Sequence, residues 1–313
     1  MASATASRTT PVARSSRHVD PTRRQQAVAA WVLALPFMVL FVVFTAGPVL
    51  ASLAMSFTDI RSTDMRTPFA VGFTGLENYT RLLGDPLFQK VMLNTFEYLV
   101  LGVPLTMALA LAAAVGLNQI SFLRGLFRVG YYLPVVTSIV AVSVVWKFLL
   151  RDQGGLVNTV LGFVGISGPG WLDSTTLALP SLVVMSSWRN LGTLMIIFLA
   201  GLQSIPREVT EASEVDGAGS WQRFRHITLP MLRPTLLFGA VITSIGYLQF
   251  FEEAFVMTHG GPLDSTRSVT FFTYDQFGFG NYGLAAAASY LLFLAVVVFT
   301  LVQFRLFGER KEK

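Results

Sequence analysis

Glu211 and Asp216 stand in a polar stretch, Glu211-Ala212-Ser213-Glu214-Val215-Asp216-Gly217-Ala218, followed by Phe224, Ile227 and Leu229-Pro230, inside a chain that is otherwise strongly apolar. Two carboxylates set among residues too small to cover the backbone can make charge-assisted hydrogen bonds to a partner surface. A second group of polar residues is embedded in apolar runs: Ser186, Ser187, Arg189, Asn190 and Thr193 in one, and Thr243, Ser244, Tyr247, Gln249, Glu252 and Glu253 in another. Polar side chains are expensive within a bilayer and mark solute pathways when they occur there. Bond-making chemistry is poorly supplied. No cysteine is present, so disulfides, thiol catalysis and thiolate zinc sites are excluded. His18, His226 and His259 lack metal-ligand spacing, and neither a G-x-x-x-x-G-K-[ST] nor a G-x-S-x-G motif occurs. The chain therefore binds no ATP through a P-loop of its own.

Composition says what must position these groups. Hydrophobic residues make up 53% of the 313 residues and charged residues only 13%, where a soluble domain carries about a quarter charged. Mean hydropathy is +0.58. The reading is an all-α integral membrane protein. The net charge of +5 does not indicate nucleic acid, because the basic residues cluster beside apolar spans. Six stretches reach the roughly 20 apolar residues that a span requires: Ala27–Met55, Val91–Leu117, Leu126–Leu150, Thr176–Leu202, Thr235–Val256 and Tyr282–Phe304. Pro36 and Pro48 bend the first or mark its ends, and Pro104 and Pro134 sit inside the second and third.

Basic residues assign the sides. Arg124 and Arg128 lie in the link between spans two and three and the first turn of span three, Arg207, Arg223, Arg225 and Arg233 between four and five, and Arg305, Arg310, Lys311 and Lys313 at the C-terminus. The opposite loops are balanced or acidic, which places both termini and the 204–233 loop inside. Residues 1–26, rich in Ser, Thr and Arg, read as a disordered cytoplasmic tail, 27–307 as the transmembrane domain and 308–313 as a second cytoplasmic tail. The segment from Thr58 to Lys90 reads as an ordered outer cap with an amphipathic helix around Tyr79–Leu83. Gly283 and Ala285 to Ala288 permit close helix approach.

Within the 204–233 loop, Ser204 can N-cap a short helix with Pro206 in its first turn and Glu208 near its positive end. That helix runs through Val215 and stops at Gly217. Ser220 can cap a second, from Trp221 to about Ile227, before Pro230 turns the chain. From residue types alone this helix–Gly–helix is either a docking element or an amphipathic loop lying in the headgroups.

The run resembles the EAA loop of permease subunits of bacterial ATP-binding cassette importers, patterned E-A-A-x-x-D-G-A, then F, then I-x-L-P, with Ser213 replacing the third small residue. Further motifs resemble the subfamily that imports sugars and related polyols, of maltose and glycerol-phosphate type. These are Gly75-Leu76-Glu77-Asn78-Tyr79, Asn94-Thr95, Leu133-Pro134 with Trp146, Gly201-Leu202-Gln203-Ser204-Ile205-Pro206, and Met257-Thr258-x-Gly260-Gly261-Pro262. They fall in family order over about residues 28 to 307.

The resemblance implies a type I importer fold of six transmembrane helices with a cytoplasmic coupling loop. It implies a heterodimer with a second permease subunit, two ATPase subunits that bind the ATP and Mg, and an extracytoplasmic solute-binding protein. It assigns ATPase coupling to Glu211, Ala212, Ser213, Asp216, Gly217, Ala218, Phe224, Ile227, Leu229 and Pro230. It places the sugar path near Ser186, Arg189, Asn190, Thr193, Thr243, Tyr247 and Glu252, where a tyrosine and amides suit sugar hydroxyls. Arg189 can also meet a phosphate or carboxylate, or pack with Glu252 at a rim. The competing class is an ion-coupled secondary transporter using Glu97 and Glu252.

Overall fold

The computed structural model describes residues 21–67, 71–120 and 122–307. Of the tails expected at 1–26 and 308–313, residues 1–20 and all of 308–313 lie outside them. The described residues are almost wholly helical, and the β pairing among them is an isolated bridge between Thr58 and Phe73. The chain divides into two units at Ser52–Leu53.

The first unit is built on α1 (Pro21–Phe41), which begins inside the stretch expected as a tail. It passes through a wide π turn, Val42–Ala46, into α2 (Gly47–Met55). Pro48 has no backbone N–H to give. The turn accommodates it by letting the Gly47 N–H reach back to the Val42 carbonyl. Arg24–Met55 is long and apolar enough to cross a membrane, and its most apolar window has no buried residue.

The second unit opens on a polar cap. Its helix α3 (Glu77–Gly84) covers the stretch expected to be amphipathic. Asn78 donates to the carbonyls of Ser56 and Thr58, both at 2.9 Å, so its amide is committed to the fold. Asp85 caps α4 (Pro86–Gln119) by accepting from the Leu87 N–H at 2.9 Å, with Pro86 at the helix start, where no N–H is missed. The chain continues through α5 (Arg124–Val136), α6 (Ile139–Leu149), α7 (Leu156–Phe163) and α8 (Ala178–Gln203). The short helices α9 (Arg207–Val215), α10 (Ser220–Arg223) and α11 (Leu229–Met231) follow. Beyond them lie α12 (Arg233–Leu248), α13 (Glu252–Met257), α14 (Val269–Gly278) and α15 (Tyr282–Phe307).

Two expected spans are not single helices. The Leu126–Leu150 stretch is broken at Thr137-Ser138, where α5 and α6 meet at 96°. Pro134 removes one hydrogen bond just before the break, and Thr137 Oγ1 donates to the Leu133 carbonyl at 2.9 Å. The Thr235–Val256 stretch stops at Leu248 and restarts as α13, leaving Gln249 to Phe251 outside either helix. Four helices among the described residues can cross a bilayer by length and composition. A total of six requires counting each bent pair, 125–136 with 139–149 and 220–231 with 233–248, as one span.

Small residues set the packing. Ala110 and Ala114 of α4 lie wholly buried against Leu194, Met195 and Phe198 of α8. At Gly192 of α8 an added Cβ would fall 2.2 Å from the Tyr131 carbonyl oxygen of α5, so the two backbones touch there. Gly283 of α15 similarly sits against the Thr58 carbonyl.

Candidate functional site

The unwound stretch between α12 and α13 is the structural key to the first site. Backbone that leaves a helix at membrane depth must find other partners or line a cavity. Here it does both. Ser268, which caps α14, donates to the Phe250 carbonyl at 2.6 Å, and the Phe250 ring stacks on Tyr98 of α4 at 3.9 Å between centroids. The same break adjoins a cavity of about 250 Å³, walled by Tyr98, Ile139, Ser186, Arg189, Asn190, Gly246, Tyr247, Gln249, Phe250, Glu252 and Glu253. The α5–α6 break delivers Ile139 to the same cavity. Both interrupted spans thus converge on one place.

Hydroxyl groups chain the walls together. Tyr98 Oη donates to Ser186 Oγ at 2.6 Å, and Ser186 Oγ donates to Glu253 Oε1 at 3.0 Å. Glu253 is 6% exposed and its Oε2 has no hydrogen-bond partner. A second chain joins Tyr247 Oη to Thr106 Oγ1 at 2.7 Å and to Ser187 Oγ at 3.2 Å. Tyr247 can lie this close to α4 because Gly102 faces it, where an added Cβ would come within 1.9 Å of the ring. Arg189 Nη1 donates to Asn190 Oδ1 at 3.3 Å, and its Nε is buried without a partner. The cavity therefore offers a guanidinium, an amide, carboxylates and an aromatic wall, with no nucleophile–base pair for bond chemistry.

Of the pathway residues read from sequence, Ser186, Arg189, Asn190, Tyr247 and Glu252 line this cavity. Glu252 is exposed and makes no ion pair with Arg189 among the described residues. Thr193 and Thr243 do not belong to the wall. Thr243 Oγ1 bonds back to the Gly239 carbonyl at 2.7 Å, and Thr193 lies beside Gly192, where α5 crosses α8. Tyr98 and Thr106 were not anticipated. With Gly102 between them they form an i, i+4, i+8 stripe on α4, which is the signal that could have found them.

The second site is the loop between α8 and α12. Ser204 does not start α9; it ends α8, its hydroxyl donating to the Gly201 carbonyl at 2.7 Å, and Pro206 precedes the first turn. Gly217 does end α9, with φ +77. The Gly217 N–H bonds the Glu214 carbonyl and the Ala218 N–H the Ser213 carbonyl, each at 3.0 Å, the paired bonds of a Schellman motif. Glu214 and Arg223 then join the two helices across the glycine in an ion pair. Ser220 is the first residue of α10 rather than its cap; the Gly219 N–H is met by Gln222 Oε1 at 3.0 Å. The second helix also outruns Ile227. It passes through a π turn, Phe224–Thr228, and Pro230 lies within it, so the bend of 67° comes after Met231.

Glu211, Ala212, Asp216 and Gly217 are exposed, Ser213 is buried with its hydroxyl on the Thr210 carbonyl, and Ala218, Phe224, Ile227, Leu229 and Pro230 are half-buried. Val215 and Trp221 expose 88% and 69% of their surface beside the carboxylates, an apolar and acidic face open to a partner. The base of the loop is fixed. Leu202 and Leu232 are buried together with Ile205 against them. The loop is thereby tied to the end of α8 and the start of α12. No group of His, Asp and Glu able to hold a metal ion occurs among the described residues.

Residues 102–307 match the family model described as "Binding-protein-dependent transport system inner membrane component". The chain is 37% identical over 297 residues to the lactose transport system permease protein of Rhizobium radiobacter, covering 92% of this chain and 97% of that one. It is 32% identical over 291 residues to the arabinooligosaccharides transport system permease protein of Halalkalibacterium halodurans, covering 92% and 90%. Its fold is similar to that of a chain in the crystal structure of a bacterial alginate ABC transporter in complex with alginate pentasaccharide-bound periplasmic protein, with a TM-score of 0.79 at 21% identity, over 93% of this chain and 98% of that chain.

Proposed function

The chain belongs to the family of binding-protein-dependent transport system inner membrane components, and on that premise we propose that it carries a carbohydrate or related polyol inward through the cavity at the α12–α13 break. It is a translocation component of an ATP-binding cassette importer rather than an enzyme. The single observation that carries the solute path is the convergence of two broken spans on a cavity walled by Arg189, Asn190, Tyr247 and a buried carboxylate. The carbohydrate class is supported by those amide and phenol groups and by the named relatives. Both termini and the α9–α11 loop lie on the cytoplasmic side in this reading, which the placement of arginines supports.

In the mechanism, one of two ATPase subunits grips the α9–α10 element through Glu211, Asp216 and the exposed Val215 and Trp221, and the other grips the corresponding loop of the second permease subunit. Their closure on ATP drags that element, and α8 and α12 transmit the shift to the cavity wall. A second permease subunit supplies the opposite wall, and an external binding protein delivers the solute. The ion-coupled alternative gives no role to the Schellman-locked loop. Reconstituted with those partners and loaded binding protein, the transporter is expected to take up lactose only with hydrolysable ATP, and collapse of ion gradients should leave the rate unchanged. Uptake abolished by ionophores with ATP present would transfer the chain to the ion-coupled class.

Cavity residues give a second expectation. Asn190→Ala and Tyr247→Ala should each slow lactose uptake by about five- to tenfold, the worth of one or two hydrogen bonds, with the assembled complex recovered in normal yield. Tyr247→Phe, which keeps the ring against Gly102, should slow it less than Tyr247→Ala. Unchanged rates in both alanine variants would remove these residues from the path.

A further inference from the structure

A second cleft, of about 280 Å³, shares Gln249 with the cavity already described. Its other walls come from α14 and α15: Thr270 and Thr273 on one side, and Ser289, Leu292, Phe293 and Val296 on the other. The arrangement is hard to explain as packing. Thr270 Oγ1 is buried and has no hydrogen-bond partner. Thr273 and Ser289 donate to the Val269 and Ala285 carbonyls, at 2.9 and 3.0 Å, which leaves their oxygen lone pairs free as acceptors. Phe293, 61% exposed, presents an aromatic face beside these hydroxyls. Hydroxyls and an amide grouped against one ring, at the depth of a helix break, fit a polyhydroxylated ligand better than lipid tails.

Size argues the same way. The first cavity alone falls below the range of about 300–1,000 Å³ found for small-molecule sites, and the two together fall within it. We infer that the cleft at Gln249, Thr270, Ser289 and Phe293 is a second sugar subsite, so that the solute is a glycan of at least two rings lying across Gln249. One ring sits among Arg189, Asn190 and Tyr247, and the next lies on Phe293 with its hydroxyls toward Thr270, Thr273 and Ser289. This deepens the carbohydrate reading and rests on it.

The absence of native cysteine allows a direct test. Ser289→Cys and, separately, Asn190→Cys are placed in the complete transporter, and each thiol is titrated with a small water-soluble methanethiosulfonate during ATP-driven turnover. The probes are lactose, with two rings, and galactose, with one. The expected result is that lactose slows modification of both thiols at least fivefold, whereas galactose slows only that of Asn190→Cys. A thiol at 289 that never reacts, or that reacts equally with and without lactose while the one at 190 is protected, overturns the second subsite and leaves the first cavity standing. Protection of neither thiol overturns both.

Discussion

Uptake falls to background, a loss of at least a hundredfold, when Glu211→Lys is combined with Gly217→Val. Gly217 holds φ +77, a conformation that costs a β-branched residue about 1–2 kcal/mol or more. The Schellman bonds from Gly217 and Ala218 depend on that conformation, as does the angle at which Glu214 meets Arg223. Valine would let the turn splay, and lysine would reverse the exposed charge offered to the ATPase. The lesion is confined to the exposed face of the loop, since Gly217 has open space around it and Glu211 is exposed. The permease should still insert and pair, and ATP hydrolysis by the complex should no longer respond to loaded binding protein. Gly219→Ala is the matched control: its φ is −66 and an added Cβ meets nothing closer than 3.8 Å, so uptake should be preserved. Binding-protein-stimulated hydrolysis and uptake measured together decide the matter. Retention of both in the double variant would end the coupling assignment.

Gly192→Ala is expected to be among the most damaging single-methyl additions in the membrane domain. The new Cβ would lie 2.2 Å from the Tyr131 carbonyl oxygen and 2.9 Å from backbone carbons of Tyr131 and Tyr132. No rotamer relieves a clash with main chain, so α5 must move away from α8 at an overpacking cost of about 1–3 kcal/mol. That movement opens the wall between Ile139 and Asn190. Thermal unfolding of the purified complex should begin several degrees lower, and uptake should fall with it. Gly116→Ala in α4, which meets nothing within 4 Å, should be neutral or stabilising by up to about 1 kcal/mol through helix propensity. Equal melting of the two variants would mean that α5 and α8 are not in backbone contact.

How much of this could be read from residues alone follows from what each feature depends on. Gly217 was legible because a helix end needs a left-handed residue and glycine adopts that conformation without penalty. Ser204 was misassigned because a serine near a helix boundary can satisfy either end. Its hydroxyl went back to Gly201, and α9 starts after Pro206 without a side-chain cap. The two breaks were hidden for different reasons. Pro134 announced a weakness in the third span but not its size, because an angle of 96° is set by what α5 and α6 pack against. The Gln249–Phe251 break carries no proline, and it persists because Ser268 and Tyr98, remote in sequence, hold Phe250. Tyr98 and Thr106 escaped notice since tyrosine and threonine on a long apolar helix usually serve packing. Only the tertiary contact with Ser186, Ser187 and Tyr247 gives them a place in the site.

The helix α8 holds the α9–α11 loop at one end and the cavity residues Ser186, Arg189 and Asn190 partway along. At 1.5 Å per residue its 26 residues make a rod of about 39 Å, with the arm from Gln203 to the cavity roughly 20–25 Å long. Swinging such an arm by about 5° sweeps its far point through about 2 Å, close to the interface shifts by which many switching proteins work. In the proposed mechanism a motor acting on the loop needs only a small turn of the rod, and the gearing between nucleotide stroke and gate width is set by where along α8 the proposed pathway residues are mounted.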